Sequence, residues 1–172
     1  MNKSIPIAET INIVSDTIVG VYTPWFPFKQ CDASYSITDF NHSFKGLEIT
    51  LEQRESDKNI VLKVYFFGRK VISNVVNESY RGKFNVQSPE LLKDVGSCGP
   101  LFKVENSDYM RYLEEQSGGI MALMDFKHYF ILDTEVSIDV ASQWQPRIEL
   151  YEDTILIEEL DEVYHFSSPQ LS

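Results

Sequence analysis

The chain has 172 residues, 43% of them hydrophobic and 24% charged, which is enough for one domain with its own core and short for two. A net charge of −11 at pH 7 excludes proteins that hold nucleic acid through clustered Lys and Arg. With two cysteines and three histidines, and no CxxC or Cys/His spacing, a disulfide scaffold and a structural zinc site are also excluded.

The chain opens MNKSIPIAETINIV, which lacks an apolar core followed by a small-residue cleavage site. No stretch approaches the ~20 apolar residues that cross a bilayer. The expectation is a cytoplasmic protein of residues 1–172 as a single domain, with no membrane partner. Eleven Phe and nine Tyr lean toward β-structure.

In chain order, Ile11–Val14 and Thr17–Tyr22 are β-prone. The PWFPF segment at 24–28 follows, and its prolines exclude a regular central strand. Trp25, Phe26 and Phe28 are expected to cover one edge of the core, an aromatic binding platform being the sharper alternative. In LEITLE (47–52), Leu47, Ile49 and Leu51 alternate with Glu48, Thr50 and Glu52, as in a half-buried strand. IVLKVYFF (60–67) is apolar on nearly both faces, as a central strand is. Gly68-Arg69 then suits a type II′ hairpin into KVISNVV (70–76), so residues 47–76 read as a three-stranded meander.

Residues 88–97 read as a short helix capped by Ser88 and closed by Gly96. PLFKVEN (100–106) is extended. SDYMRYLEEQSGG (107–119) has Ser107 or Asn106 as N-cap, Asp108 at the positive end of the dipole and Gly118-Gly119 as the stop. FKHYFIL (126–132) and TEVSIDVA (134–141) form two antiparallel strands through an Asp133-Thr134 corner, with a helix from Thr134 as the alternative. RIELY (147–151) and TILIEEL (154–160) supply a last strand pair. The fold class expected is α+β, mainly an antiparallel β-sheet of six or more strands, with one or two short helices.

The serine elbow GxSxG, HExxH, GxxxxGK[ST] and GxGxxG are all absent. In GSCGP (96–100), Cys98 sits among glycines, and nothing basic nearby would lower its pKa, so a loop role is expected. His128 with Asp139 and His165 could orient an imidazole for base work or metal ligation. A histidine alternating with Phe is expected instead to pack in the core on a backbone hydrogen bond. No catalytic residue, no metal site and no cofactor is therefore assigned.

Charge is unevenly placed. Residues 1–104 hold 12 Lys/Arg against 11 Asp/Glu, and residues 105–172 hold 3 against 15. Glu152, Asp153, Glu158, Glu159, Asp161 and Glu162 concentrate it further. These lack the regular D-x-D-x-D-G spacing of a calcium loop, which leaves a solvated face or a cation-seeking protein surface. Tyr109, Tyr112, Trp144 and Tyr151 lie among the carboxylates and are residue types that anchor interfaces, core packing being their alternative.

FKGLEITLEQ, NIVLKVYFFGRKVISNVVNESYR, VENSDYMRYLEEQSGG, HYFILDTEVSIDV and QPRIEL, in this order over about residues 44–150, resemble small bacterial immunity proteins of polymorphic-toxin and contact-dependent inhibition systems. The resemblance implies a cytoplasmic protein that neutralises a toxin by binding it, and it carries over no catalytic residue. The expected partner is a basic protein, the toxin domain, held by Tyr109, Tyr151 and the six carboxylates from Glu152 to Glu162. A small hydrolase or transferase with a dispersed site, or a subunit that completes its sheet in an oligomer, are the readings from other classes.

Overall fold

A computed structural model describes residues 11–15, 18–77, 99–133 and 135–160, and most of them lie in antiparallel strands. These are β1 (Ile11–Ser15), β2 (Ile18–Pro24), β3 (Tyr35–Ser43), β4 (Gly46–Gln53), β5 (Ile60–Phe67), β6 (Ile72–Asn77), β7 (Leu101–Glu105), β8 (Lys127–Leu132), β9 (Val136–Ser142), β10 (Arg147–Glu152) and β11 (Ile155–Leu160). One α-helix, α1 (Asp108–Gln116), and 3-10 turns at Lys29–Cys31 and Ile120–Leu123 complete the described elements. The mainly antiparallel β architecture with few helices agrees with the sequence reading.

The strands form two sheets, one in the order β1-β2-β7-β8-β9-β6 and the other β11-β10-β5-β4-β3. Alternation explains how they meet. Leu47, Ile49 and Leu51 of β4, Leu62, Val64 and Phe66 of β5, and Ile148 and Leu150 of β10 turn one way from the second sheet. They share a core with Leu101, Tyr129, Ile131, Ile138 and Val140 of the first. The Phe66 and Tyr129 rings meet across the two sheets at 5.3 Å. Burial of these period-two faces against each other is what holds a sandwich together. A polar tie adds direction: buried Asp133, just past β8, accepts from the Ile37 amide at 3.0 Å and from the Arg54 guanidinium at 2.5 Å.

The expected meander over 47–76 is corrected. β4 and β5 do pair, but β6 pairs with β9 in the opposite sheet. Both edges of β5 are already filled, by β4 and β10, so no edge remains for a third hairpin strand. Gly68 does take the positive φ of +102° that the turn idea required. The chain there crosses between layers instead, with Val71 buried in the shared core. The meander that exists is β3-β4-β5, and β3 had no clear period because it is a polar edge strand with a register shift between Ile37 and Asp39.

The outer face of the first sheet carries α1. Ser107 caps it by accepting from the Met110 amide at 3.1 Å, and Asp108 occupies the first turn, as the sequence indicated. Tyr109 and Met121 pack with Ala141 of β9 under this layer. β8 and β9, covered on both sides, are buried along nearly their whole length. They run antiparallel, so the strand reading of 135–141 holds over the helical alternative. The short helix expected at 88–97 lies outside the described residues.

Candidate functional site

The acidic segment at the C-terminal end folds into the β10–β11 hairpin. Asp153 and Thr154 take φ of 49° and 73°, the two left-handed residues a tight two-residue hairpin requires. The turn is docked on the start of β5: the Asp153 amide donates to the Asn59 carbonyl at 3.0 Å, and the Asn59 amide donates to Asp153 Oδ1 at 3.3 Å. Lys58 donates to the Glu152 carboxylate. Asp153, Glu158 and Glu159 are exposed and Glu152 is half-buried, so four of the six expected carboxylates share one hairpin. Asp161 and Glu162 lie outside the described residues.

The sequence did not reveal what accompanies them. Ile155, Leu156 and Ile157 are 70%, 45% and 44% exposed, while Leu160 packs on the core. A register shift between Leu150 and Tyr151 accompanies this: Leu150 faces Glu158 whereas Tyr151 faces Leu156. One extra residue in β11 moves Leu156 from the parity of inward-facing Leu160 to that of Tyr151.

The solvent-side face of β5 and β10 continues the surface. Tyr65 and Phe67 stack at 6.1 Å, and the Arg147 guanidinium lies over both rings at 4.8 and 5.1 Å. Arg147 also pairs with Glu149 at 3.2 Å. The Tyr151 hydroxyl donates to Glu149 at 2.6 Å, and the Lys63 ammonium sits 5.7 Å from the Tyr151 ring. That bond to Glu149, followed by lost hydration, raises the Tyr151 hydroxyl above its ordinary pKa, so it remains a donor through neutral pH. Trp144, 49% exposed, shares a small cleft with Phe67 and extends the aromatic strip. Tyr65, Phe67 and Arg147 were missed as site residues. Their signal was the outward parity of β5 and β10, which is legible only once the inward face is known.

Tyr109 is not brought to this surface. It is 6% exposed on the inward side of α1, its ring 5.2 Å from that of His128, and burial raises its hydroxyl pKa. Tyr112, on the same helix, is exposed.

His128 is 3% exposed, and its Nε2 lies 3.1 Å from Asp139 Oδ1 on the neighbouring strand. The expected backbone partner is therefore replaced by a carboxylate. An ionised carboxylate only accepts, so Nε2 carries the proton. Phe130 and Asp139 are register partners, which sets Asp139 diagonal to His128 on one sheet face. His165 lies outside the described residues. The ring borders a cleft of about 820 Å³ beside α1 that Met110, Met121, Met124 and Phe126 also line. Nε2 is held by Asp139, Nδ1 is buried without a hydrogen-bond partner among the described residues, and a packing role for His128 is the expectation. His128→Gln keeps an amide donor toward Asp139 and is expected to leave partner binding unchanged. It should lower stability by about 1 kcal/mol, the scale of one hydrogen bond, as read by urea denaturation. A folded variant without binding would contradict that role.

Cys98 of GSCGP, with its expected loop role, is outside the described residues; Gly99 beside it is described. Its φ is +72°, and a Cβ there would stand 2.1 Å from the Cys31 carbonyl oxygen. Cys31 itself is fully buried, and loss of hydration pushes its thiol up to about 11 from 9.0. The protonated thiol is favoured in the fold, so this contribution to stability is complete below pH 9 and is lost as pH rises toward 11. In a Cys98→Ser background, a thiol reagent at pH 8 should leave Cys31 untouched until the chain is unfolded. Rapid labelling of the native protein would contradict this.

Among the described residues no group of three or more His, Cys, Asp and Glu is arranged to hold a metal ion. No described helix is long and apolar enough to cross a membrane. Compared with protein-family models, curated proteins and solved structures, the chain matches none.

Proposed function

We propose that this chain is an immunity-type protein, which binds a basic protein partner in the cytoplasm and neutralises it without catalysis. The partner is the toxic domain of an interbacterial system. One observation carries the reading: the β10–β11 hairpin offers Glu152, Asp153, Glu158 and Glu159 together with three exposed aliphatic side chains. A solvated face kept for solubility has no use for those aliphatics, whereas an interface core does. The neighbouring Tyr65, Arg147 and Tyr151 are of the types that dominate binding energy.

The charge sign fits the same partner. A toxin that attacks nucleic acid must be basic, and concentrated carboxylates raise its capture rate and give charge-assisted hydrogen bonds. The resemblance of residues 44–150 to immunity proteins supports the assignment as well. In this reading Tyr151 is the anchoring tyrosine and Tyr109 supports the fold. The test is co-purification with the protein encoded beside it. A complex stable at low salt that dissociates as salt rises is the expected result, and separate elution at every ionic strength would overturn the proposal.

A further inference from the structure

The two edges of the second sheet differ in their exposed aliphatic side chains, and the difference points to how a partner docks. The β3 edge is blunted in the usual ways: it is interrupted between Ile37 and Asp39, and Thr38, Asp39, Asn41, His42 and Ser43 are exposed polar residues. The β11 edge also has a register shift, beside Tyr151, and carries Glu158 and Glu159, but it has no proline or lysine, and Ile155, Leu156 and Ile157 stand in solvent. Among the described strands β11 is paired on one side alone, by β10. An edge strand with exposed aliphatic side chains is a template for another strand.

We propose that β11 captures an extended, basic segment of the partner protein by strand addition, so that the second sheet grows by one strand. This deepens the function proposed above and rests on it. Main-chain hydrogen bonds to the edge of β11 that no described strand pairs supply affinity, and the exposed Ile155, Leu156 and Ile157 meet aliphatic side chains on the two faces of the incoming strand. Glu158 and Glu159 select lysine or arginine among its remaining positions. A second copy of this chain is the poorer occupant, because each copy carries −11 and brings the same carboxylates to the shared edge.

The probe is a synthetic eight-residue peptide alternating lysine and valine, compared with a twin methylated on the backbone nitrogens of one edge. Hydrogen exchange should show new protection at those β11 amides that point away from β10, and methylation should weaken binding at least tenfold. Ile155→Lys/Ile157→Lys, both at exposed positions, should abolish the protection while thermal unfolding stays unchanged. Equal binding of both peptides would reduce the contact to charge adsorption and overturn the proposal. Protection elsewhere, no binding, or a dimer of the chain that this double variant dissolves would overturn it too. Pairing with the peptide in a chain that fails to neutralise the toxin would count against the function alone. Neutralisation that survives the double variant would count against strand addition alone.

Discussion

Phe66→Ala is expected to destabilise the protein by about 3–5 kcal/mol, enough to threaten folding at 37 °C. Phe66 is 1% exposed in the middle sheet strand β5, and its ring meets Tyr129 of the opposite sheet. Truncation removes a large apolar surface and leaves a cavity between two rigid layers, which cannot collapse without moving a whole sheet. The control is Val61→Ala, one strand position whose side chain is turned to the other face and only half-buried. It should cost well under half as much. Urea denaturation of both variants checks this, and similar losses for the two would contradict the sandwich as described.

The faces of that sandwich were legible because alternation is local. Leu47, Ile49 and Leu51 announce their inward side, and β5 announces a central strand, although the face with Tyr65 and Phe67 is open to solvent and its apolar pattern overstated how far it is covered. Ser107 and Asp108 announce the start of α1 in the same local way. Pairing is not local. Nothing in KVISNVV says that its partner is β9 and not β5, because that depends on β10 having taken the other edge of β5. β3 was invisible since an edge strand facing water needs no hydrophobic period.

The candidate site was half legible for the same reason. Charge is additive along a sequence, so the acidic hairpin could be seen directly. The exposure of Ile155, Leu156 and Ile157 could not, because it depends on β11 lying at the sheet edge and on a register shift beside Tyr151. Tyr109 and Tyr151 are equivalent as letters among carboxylates. One lies on the inward side of a helix against His128, and the other on an open sheet beside Glu149.

The second large effect is on capture. Reversing Glu158, Glu159, Asp161 and Glu162 to Lys should slow association with the basic partner by tenfold or more at low salt, with a smaller change in dissociation rate. Glu152 is left in place because it pairs with Lys58. Glu158 and Glu159 make no such described pair and are exposed, so the fold should persist. For the wild type, association should slow as the Debye length shrinks from about 30 Å at 0.01 M salt to about 8 Å at 0.15 M. The reversed form should lose that salt dependence or invert it. Tyr151→Ala should act on the other rate, speeding dissociation, because an anchoring ring is felt once the surfaces have met. Stopped-flow association at three ionic strengths separates the two effects.

Survival of cells that co-express the protein encoded beside this chain, the partner proposed to be a toxin domain, tests the central claim most directly, with wild type compared against the four-site charge reversal. Protection by the wild type, and its loss in a reversed form that is still folded and equally abundant, is the predicted result. Equal protection by both would leave the acidic hairpin a solvated surface, and no protection by either would contradict the function proposed for this protein.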